Sequence, residues 1–131
     1  MTSEYYDTGV LLKLYTNEPA SLAVQRFVVM RGRAILVTDL HLVEATSALR
    51  LKQFRGECTP RQGTAALGCL EEDLRRRVLR RVAADWPAIW LRCLTLARTE
   101  TARHGVRALD TLHVAAALQL NAGERVSSDN R

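Results

Sequence analysis

Short apolar segments alternate with long helix-forming segments along this chain. Ala34-Ile35-Leu36-Val37 is a continuous apolar run of the kind found in buried parallel strands. Further short strands are predicted over residues 4–7, 78–82 and 125–128. Because strands that alternate with helices usually build a parallel sheet covered by those helices, the pattern predicts an α/β domain with a short, mainly parallel sheet.

Helices are predicted where apolar residues recur at helical spacing between residues that begin or end helices. Thr38 or Asp39, Thr59-Pro60 and Asp85 are good N-terminal signals, and Gly105 is a good stop signal. The predicted helices cover residues 8–15, 21–30, 39–54, 60–75, 85–104 and 109–120.

The length and composition indicate one globular domain, assigned to residues 1–131. The three cysteines form no Cys-x-x-Cys pair and have no zinc-type spacing to a histidine, so we expect reduced, buried thiols. The first residues include Glu4 and Asp7 instead of the basic start and apolar run of a signal peptide. No apolar stretch approaches the roughly 20 residues that span a bilayer. We therefore expect a soluble, cytoplasmic protein that does not contact membranes.

The chain is basic, with 19 Lys and Arg against 14 Asp and Glu and a net charge of +5. Such an excess favours a polyanionic partner, above all nucleic acid. A cluster of five arginines either follows RNA phosphates or forms a solvated rim. Its members are Arg75, Arg76, Arg77, Arg80 and Arg81. Trp86 and Trp90, four residues apart on one helical face, indicate a core or dimer contact more than base stacking.

Three of four notable carboxylates lie at strand ends or at the edge of an apolar helix face. Asp7 and Asp129 each close a predicted strand, and open parallel sheets bind ligands beyond the carboxyl ends of their strands. Asp7 is also explained as a helix cap, and Asp129 as a turn residue. Glu44 shares a helix face with Ala48 and Leu51, so its charge needs a partner, either a metal ion or an arginine.

Asp110 is the fourth carboxylate. It shares a face with Val114 and Ala117 in an otherwise apolar helix. The helix dipole explains an acid in the first turn, but it does not explain one that is turned inward. His113, one turn later, either contacts the same pocket or packs against the backbone.

Carboxylates from four separate segments would repel one another unless cations compensate their charge. Hard oxygen ligands of this kind suit Mg²⁺ or Mn²⁺. Such ions hold a phosphodiester, lower the pKa of a bound water and stabilise charge on the leaving oxygen. An acidic centre with a basic rim is therefore typical of phosphodiester hydrolysis.

Four blocks of the sequence, in order and spanning almost the whole chain, resemble the VapC-type PIN domains. The most specific is Arg107-Ala108-Leu109-Asp110-Thr111-Leu112-His113-Val114-Ala115-Ala116-Ala117. The others are Tyr5-Tyr6-Asp7-Thr8-Gly9-Val10-Leu11-Leu12-Lys13-Leu14-Tyr15 with Glu18-Pro19, Leu42-Val43-Glu44-Ala45-Thr46-Ser47-Ala48-Leu49, and Ser127-Ser128-Asp129. One mild difference is Gly9, which stands where a small polar residue is common.

The resemblance implies a PIN-like three-layer fold and a metal-dependent endoribonuclease that leaves a 5′ phosphate and a 3′ hydroxyl. It implies that Asp7, Glu44, Asp110 and Asp129 are catalytic. Of these, Asp7, Asp110 and Asp129 would bind Mg²⁺ or Mn²⁺. The substrate would be contacted by Thr8 and Ser127.

The resemblance also implies partners. Family members form homodimers and are held inactive by a VapB-type antitoxin, whose DNA-binding domain connects the complex to DNA. They usually continue through another helix and an edge strand, so the resemblance implies that this chain is a short form or lacks that end. A missing edge strand would loosen Asp129 and leave an exposed sheet edge.

Three other functions compete with the nuclease, and one of them, a structural dimerisation partner, would need no metal. Asp7-Thr8-Gly9 also spells the signature of aspartic proteases, but those are all-β proteins with paired aspartates, and this chain is mostly helix-periodic. The second is an RNA- or partner-binding α/β module without chemistry. That module predicts that Asp110→Asn leaves RNA binding and cell toxicity unchanged.

Overall fold

The computed structural model of the protein describes residues 3–120 and 124–126, the last three for their backbone only. Strands and helices alternate as the sequence predicts. The strands are β1 (Glu4–Tyr6), β2 (Ile35–Val37), β3 (Leu79–Arg81) and β4 (Glu124–Val126). The helices are α1 (Thr8–Leu12), α2 (Ser21–Arg31), α3 (Asp39–Phe54), α4 (Pro60–Arg75), α5 (Trp86–Leu96), α6 (Ala102–His104) and α7 (Ala108–Gln119), with a π-helical segment (Ala97–Thr101) between α5 and α6.

The four strands form one parallel sheet in the order β3-β2-β1-β4. Glu4 is in register with Ile35, and Ile35 with Leu79, so the strands end at a common level. Their carboxyl ends therefore meet at one edge of the sheet, which we call the carboxyl edge. In open parallel sheets this is the edge at which ligands bind.

Helices cover both faces of the sheet, as expected for buried parallel strands. Tyr5 and Tyr6, adjacent in β1, point to opposite faces because side chains alternate along a strand. Tyr6 packs in a cluster with α1, α3 and α4, and partly buried residues of α2 pack against that cluster. Tyr5 packs in a second cluster with α5 and α7. The predicted three-layer α/β fold is confirmed.

Local capping signals explain where α3 and α4 begin. Thr38 and Thr59 accept hydrogen bonds from the backbone N–H groups of His41 and Gln62 at the third helical positions. In return, the side chains of His41 and Gln62 accept bonds from the cap N–H groups, which completes a capping box in each helix. Both predicted starts are therefore confirmed.

Two predicted helices differ from the structure. The helix predicted over residues 8–15 ends at Leu12, because the next backbone N–H groups bond to carbonyls three residues back. The helix predicted over residues 85–104 contains the π-helical segment and ends at Gly105, whose positive φ of 63° suits glycine. No helix of the described residues is both long and apolar enough to cross a membrane.

Candidate active site

Asp7 lies at the carboxyl edge, directly after β1. Its Oδ1 atom accepts a hydrogen bond of 2.9 Å from the backbone N–H of Val10, so it caps α1, and its side chain is buried. The helix-cap interpretation of Asp7 is therefore correct. The same geometry holds a buried carboxylate at the edge where a ligand is expected, so capping and ligand binding are compatible roles.

Thr8, the first residue of α1, connects this edge to α3. Its Oγ1 hydroxyl donates a hydrogen bond of 2.7 Å to Oε1 of Glu44. The structure thus brings together Asp7, Thr8 and Glu44, three of the predicted site residues, through adjacency in the chain and one direct bond. In this arrangement the hydroxyl hydrogen of Thr8 is donated to Glu44 and not to another group.

Glu44 has a second partner that the sequence did not predict. The Nε2 atom of His113 lies 2.6 Å from the same Oε1 atom of Glu44. On the other side of the imidazole ring, Nδ1 lies 2.5 Å from the hydroxyl oxygen of Tyr5. Of the two partners predicted for Glu44, the arginine is not found among the described residues, where a threonine and a histidine bind the carboxylate instead. The metal ion stays a prediction.

The surroundings of Glu44 favour its ionised form. Partial burial raises the pKa of the carboxyl group, but the hydrogen bonds from His113 and Thr8 act in the opposite direction. The net effect is a pKa below the usual value for glutamate. The site therefore holds an anion at neutral pH.

His41 is a second buried histidine at this edge. Its Nε2 atom lies 2.7 Å from the carbonyl oxygen of Tyr6, and its Nδ1 atom accepts a bond from the backbone N–H of Thr38. Burial lowers the pKa of His41 to about 4, with a smaller contribution from the proximity of His113. His41 is therefore neutral at pH 7 and joins β1 to the start of α3.

Asp110 lies in the first turn of α7, one turn before His113, and is half-buried. Its carboxylate makes no hydrogen bond or ion pair with a residue of the described part. Within residues 3–120, no three His, Cys, Asp or Glu side chains are close enough together to hold a metal ion. Asp129 and Ser127 lie outside the described residues, so their predicted roles stay predictions.

No sequence pattern pointed to Tyr5 or His41 as site residues, and the sequence alone leaves two interpretations of His113 open. His113 is packed, as one interpretation expected, but it bonds to side chains and not to the backbone. Its spacing of three residues from Asp110 was the one signal that pointed to the site. His41 gave no comparable signal toward the site because its partner across the sheet edge, the carbonyl oxygen of Tyr6, is 35 positions away along the chain.

Fewer arginines of the cluster are free to bind RNA phosphates than the sequence suggests. Arg75 pairs with Glu72, and Arg81 pairs with Asp39 at 2.6 Å. Arg76 and Arg77 lie in the turn before β3, at the edge of the sheet opposite the carboxyl edge. This position favours the interpretation of a solvated rim for that turn.

Comparisons with known proteins establish the fold. No family model matches the chain, and no curated protein matches it. Among solved structures, DNA-bound VapBC from Salmonella typhimurium is similar over 100% of this chain and 89% of the matched chain, with a TM-score of 0.62 and 18% identity. VapBC2 from Rickettsia felis, bound to a DNA fragment from the promoter, is similar over 93% and 84%, with a TM-score of 0.59 and 17% identity. The chain therefore shares an α/β fold of the PIN-like kind with these VapBC structures.

Proposed function

We propose that this chain is a metal-dependent endoribonuclease and the toxin of a toxin–antitoxin pair. The observation that carries the proposal is the position of Glu44 at the carboxyl edge, where the anion is bonded to His113 and to Thr8, the chain neighbour of Asp7. The helices α1, α3 and α7 each contribute one of these three side chains. A carboxylate at this position has no role in core packing. The fold shared with VapBC proteins supports the same conclusion.

The donor groups present suit a hard cation such as Mg²⁺ or Mn²⁺. Glu44 Oε2 and the Asp110 carboxylate have no hydrogen-bond partner among the described residues, so these oxygens are available for such a role. In this proposal Asp7, Asp110 and Asp129 hold the ion, and Glu44 completes the acidic centre. When bound, the ion would activate water and stabilise charge on the leaving oxygen.

RNA is the proposed substrate, and the net charge of +5 favours it. Exposed arginines precede α7 or begin it, close in sequence to Asp110, at Arg98, Arg103 and Arg107. Because α7 leads into a strand that is parallel to β1, its N-terminus lies toward the carboxyl edge. We propose that these arginines, with Thr8 and Ser127, contact the substrate.

The proposed partners are a VapB-type antitoxin and a second copy of this chain, with DNA bound only through the antitoxin. Large apolar side chains are exposed on α2 and α5, where a partner can cover them. They are Leu22, Val29, Met30, Trp90, Leu91 and Leu94. We place the pair in the cytoplasm, where its RNA substrate would be found.

Cleavage of total cellular RNA by the purified chain, with Mg²⁺ or Mn²⁺ and with EDTA, tests the nuclease. We expect discrete fragments with 5′ phosphates that require metal and disappear in Asp110→Asn. The matched control is Asp39→Asn, which changes an exposed carboxylate in the first turn of another helix. Metal-dependent cleavage that survives in Asp110→Asn would contradict the assignment of Asp110.

A binding module without chemistry remains the second candidate. The observation that favours it is that no three-ligand cluster occurs within the described residues. It predicts metal-independent binding of RNA without cleavage, and Asp110→Asn would leave that binding unchanged. A gel-shift titration of the same RNA in EDTA distinguishes the two functions.

A further inference from the structure

The buried hydrogen-bond chain from Tyr5 through His113 to Glu44 includes two side chains that the proposed function does not use. Tyr5 is fully buried, and His113 is 3% exposed. Neither side chain is among the carboxylates or hydroxyls assigned to metal or substrate. Both are polar groups within the core between β1 and α7, where an apolar residue would pack without the need for a partner.

The chemistry of the chain sets the direction of its hydrogen bonds. An ionised carboxylate only accepts hydrogen bonds, so His113 must carry a hydrogen on Nε2 and donate it to Glu44. In the neutral ring, Nδ1 then has only a lone pair, and the Tyr5 hydroxyl donates to it. Tyr5 thereby selects the tautomer of His113 that donates a hydrogen bond to Glu44. The partner of one ring nitrogen commonly sets the tautomer of a histidine in this way.

The two donors to Glu44 converge on a single oxygen. Thr8 Oγ1 and His113 Nε2 lie 2.7 Å and 2.6 Å from Oε1. Oε2 has no hydrogen-bond partner among the described residues, and it is not a fully buried atom. The carboxylate is therefore fixed in orientation by one oxygen, while the other is left for a reactant.

We propose that His113, oriented by Tyr5, is a positioning residue that holds Glu44 through Oε1 and directs Oε2 toward the reacting groups. This inference rests on the proposed function and adds two residues to its machinery. Some groups orient a functional side chain by a hydrogen bond without touching the substrate. Their removal commonly lowers activity by about 10–100-fold. Neither Tyr5 nor His113 touches substrate in this proposal.

The first test is the imidazole ¹⁵N spectrum of histidine-labelled, metal-free protein at about pH 8, where an ordinary imidazole is neutral. We expect His113 to carry its hydrogen on Nε2. The Nδ1 resonance should move toward its unbonded position in Tyr5→Phe, and the Nε2 hydrogen should exchange faster in Glu44→Ala. Exposed His104 serves as the internal control, since it should not change. A hydrogen on Nδ1 of His113, or a spectrum that neither variant alters, would overturn the proposal.

The second test is the kinetics of RNA cleavage by His113→Leu, His113→Gln and Tyr5→Phe. We expect kcat to fall by about 10–100-fold in His113→Leu, with KM changed by no more than about twofold. The His113→Gln variant keeps an N–H donor and should recover most of the loss. Tyr5→Phe, which removes only the hydroxyl, should lie between the wild type and His113→Leu.

Two outcomes would separate this inference from its alternatives. If His113→Gln and His113→Leu lose equal activity in proportion to their loss of stability in urea, His113 is only structural and the proposal is wrong. If the wild type cleaves no RNA, the proposed function fails, and the imidazole spectrum still decides whether Tyr5 and His113 hold Glu44 as described.

Discussion

The side chain of His113 reaches from α7 to Glu44 on α3, with 2.6 Å between Nε2 and Oε1. The buried apolar side chains of the two helices belong to different packing clusters, since Ala45 and Leu49 of α3 pack with Tyr6, whereas Leu112 of α7 packs with Tyr5. The bond therefore joins the two helical layers at the carboxyl edge of the sheet. It makes the orientation of Glu44 dependent on the correct packing of both layers.

Glu44→Gln should abolish most activity while leaving the fold intact. The amide oxygen still accepts hydrogen bonds from Thr8 and His113, but the negative charge is lost. We expect cleavage to fall by about 100-fold or more, as for removal of a catalytic acid–base group. The comparison is Glu71→Gln on the exposed face of α4, which should retain wild-type kcat. Equal activity in both variants would remove Glu44 from the mechanism.

The free energy of unfolding should fall as the pH is lowered from about 6.5 to about 4. In this window the unfolded chain protonates His41, whereas the folded protein, with the pKa of His41 lowered to about 4, does not. The unfolded state therefore binds more protons, and stability decreases with falling pH, by on the order of 3 kcal/mol in total. Urea unfolding at several pH values measures this slope.

His41→Asn is the variant for that experiment. It should be less stable than the wild type at pH 7 but should show a flatter dependence between about pH 6.5 and 4. The pKa of Glu44 is lower in the folded protein than in the unfolded chain. Protonation of Glu44 therefore lowers the free energy of unfolding further, but only at pH values below its pKa in the unfolded chain. An unchanged slope in His41→Asn would show that other groups cause the pH dependence.

Asp110→Asn separates metal binding from a helix-dipole role. If Asp110 serves only the first turn of α7, the variant loses about 0.3–1 kcal/mol of stability and keeps its activity. If it binds metal, activity is lost, and Mn²⁺ no longer raises the melting temperature as it does in the wild type. We expect the second result, measured by thermal unfolding with and without Mn²⁺. Retained stabilisation by Mn²⁺ would contradict it.

RNA binding should depend on arginines near α7 and not on those before β3. We expect Arg103→Gln/Arg107→Gln to weaken RNA binding and to reduce its salt dependence by about 0.7 in log–log slope for each phosphate that an arginine no longer neutralises. Arg76→Gln/Arg77→Gln removes the same charge at the opposite edge and should have a smaller effect. Fluorescence anisotropy across a salt series in EDTA measures both the affinity for RNA and its dependence on salt. A larger loss of RNA binding in Arg76→Gln/Arg77→Gln would place the RNA at the edge opposite the carboxyl edge.

Local features of the sequence were sufficient to predict most of the fold. Thr38 and Thr59-Pro60 begin α3 and α4 through bonds to residues three positions away, and Gly105 ends a helix through its own backbone freedom. Such interactions involve only neighbours in the chain. The apolar run at residues 34–37 likewise identified β2, because burial on both faces leaves no polar positions in the strand.

The arrangement around Glu44 was decided by the tertiary structure. Glu44 was a candidate from its helix face, but Thr8 and His113 are 36 and 69 positions away along the chain. Tyr5 and His113 are 108 positions apart. Contacts of this kind form only when several packed elements bring their side chains to one edge, so no local pattern encodes them. The sequence thus determined which residues carry charge and where elements begin, and packing determined which of those residues meet.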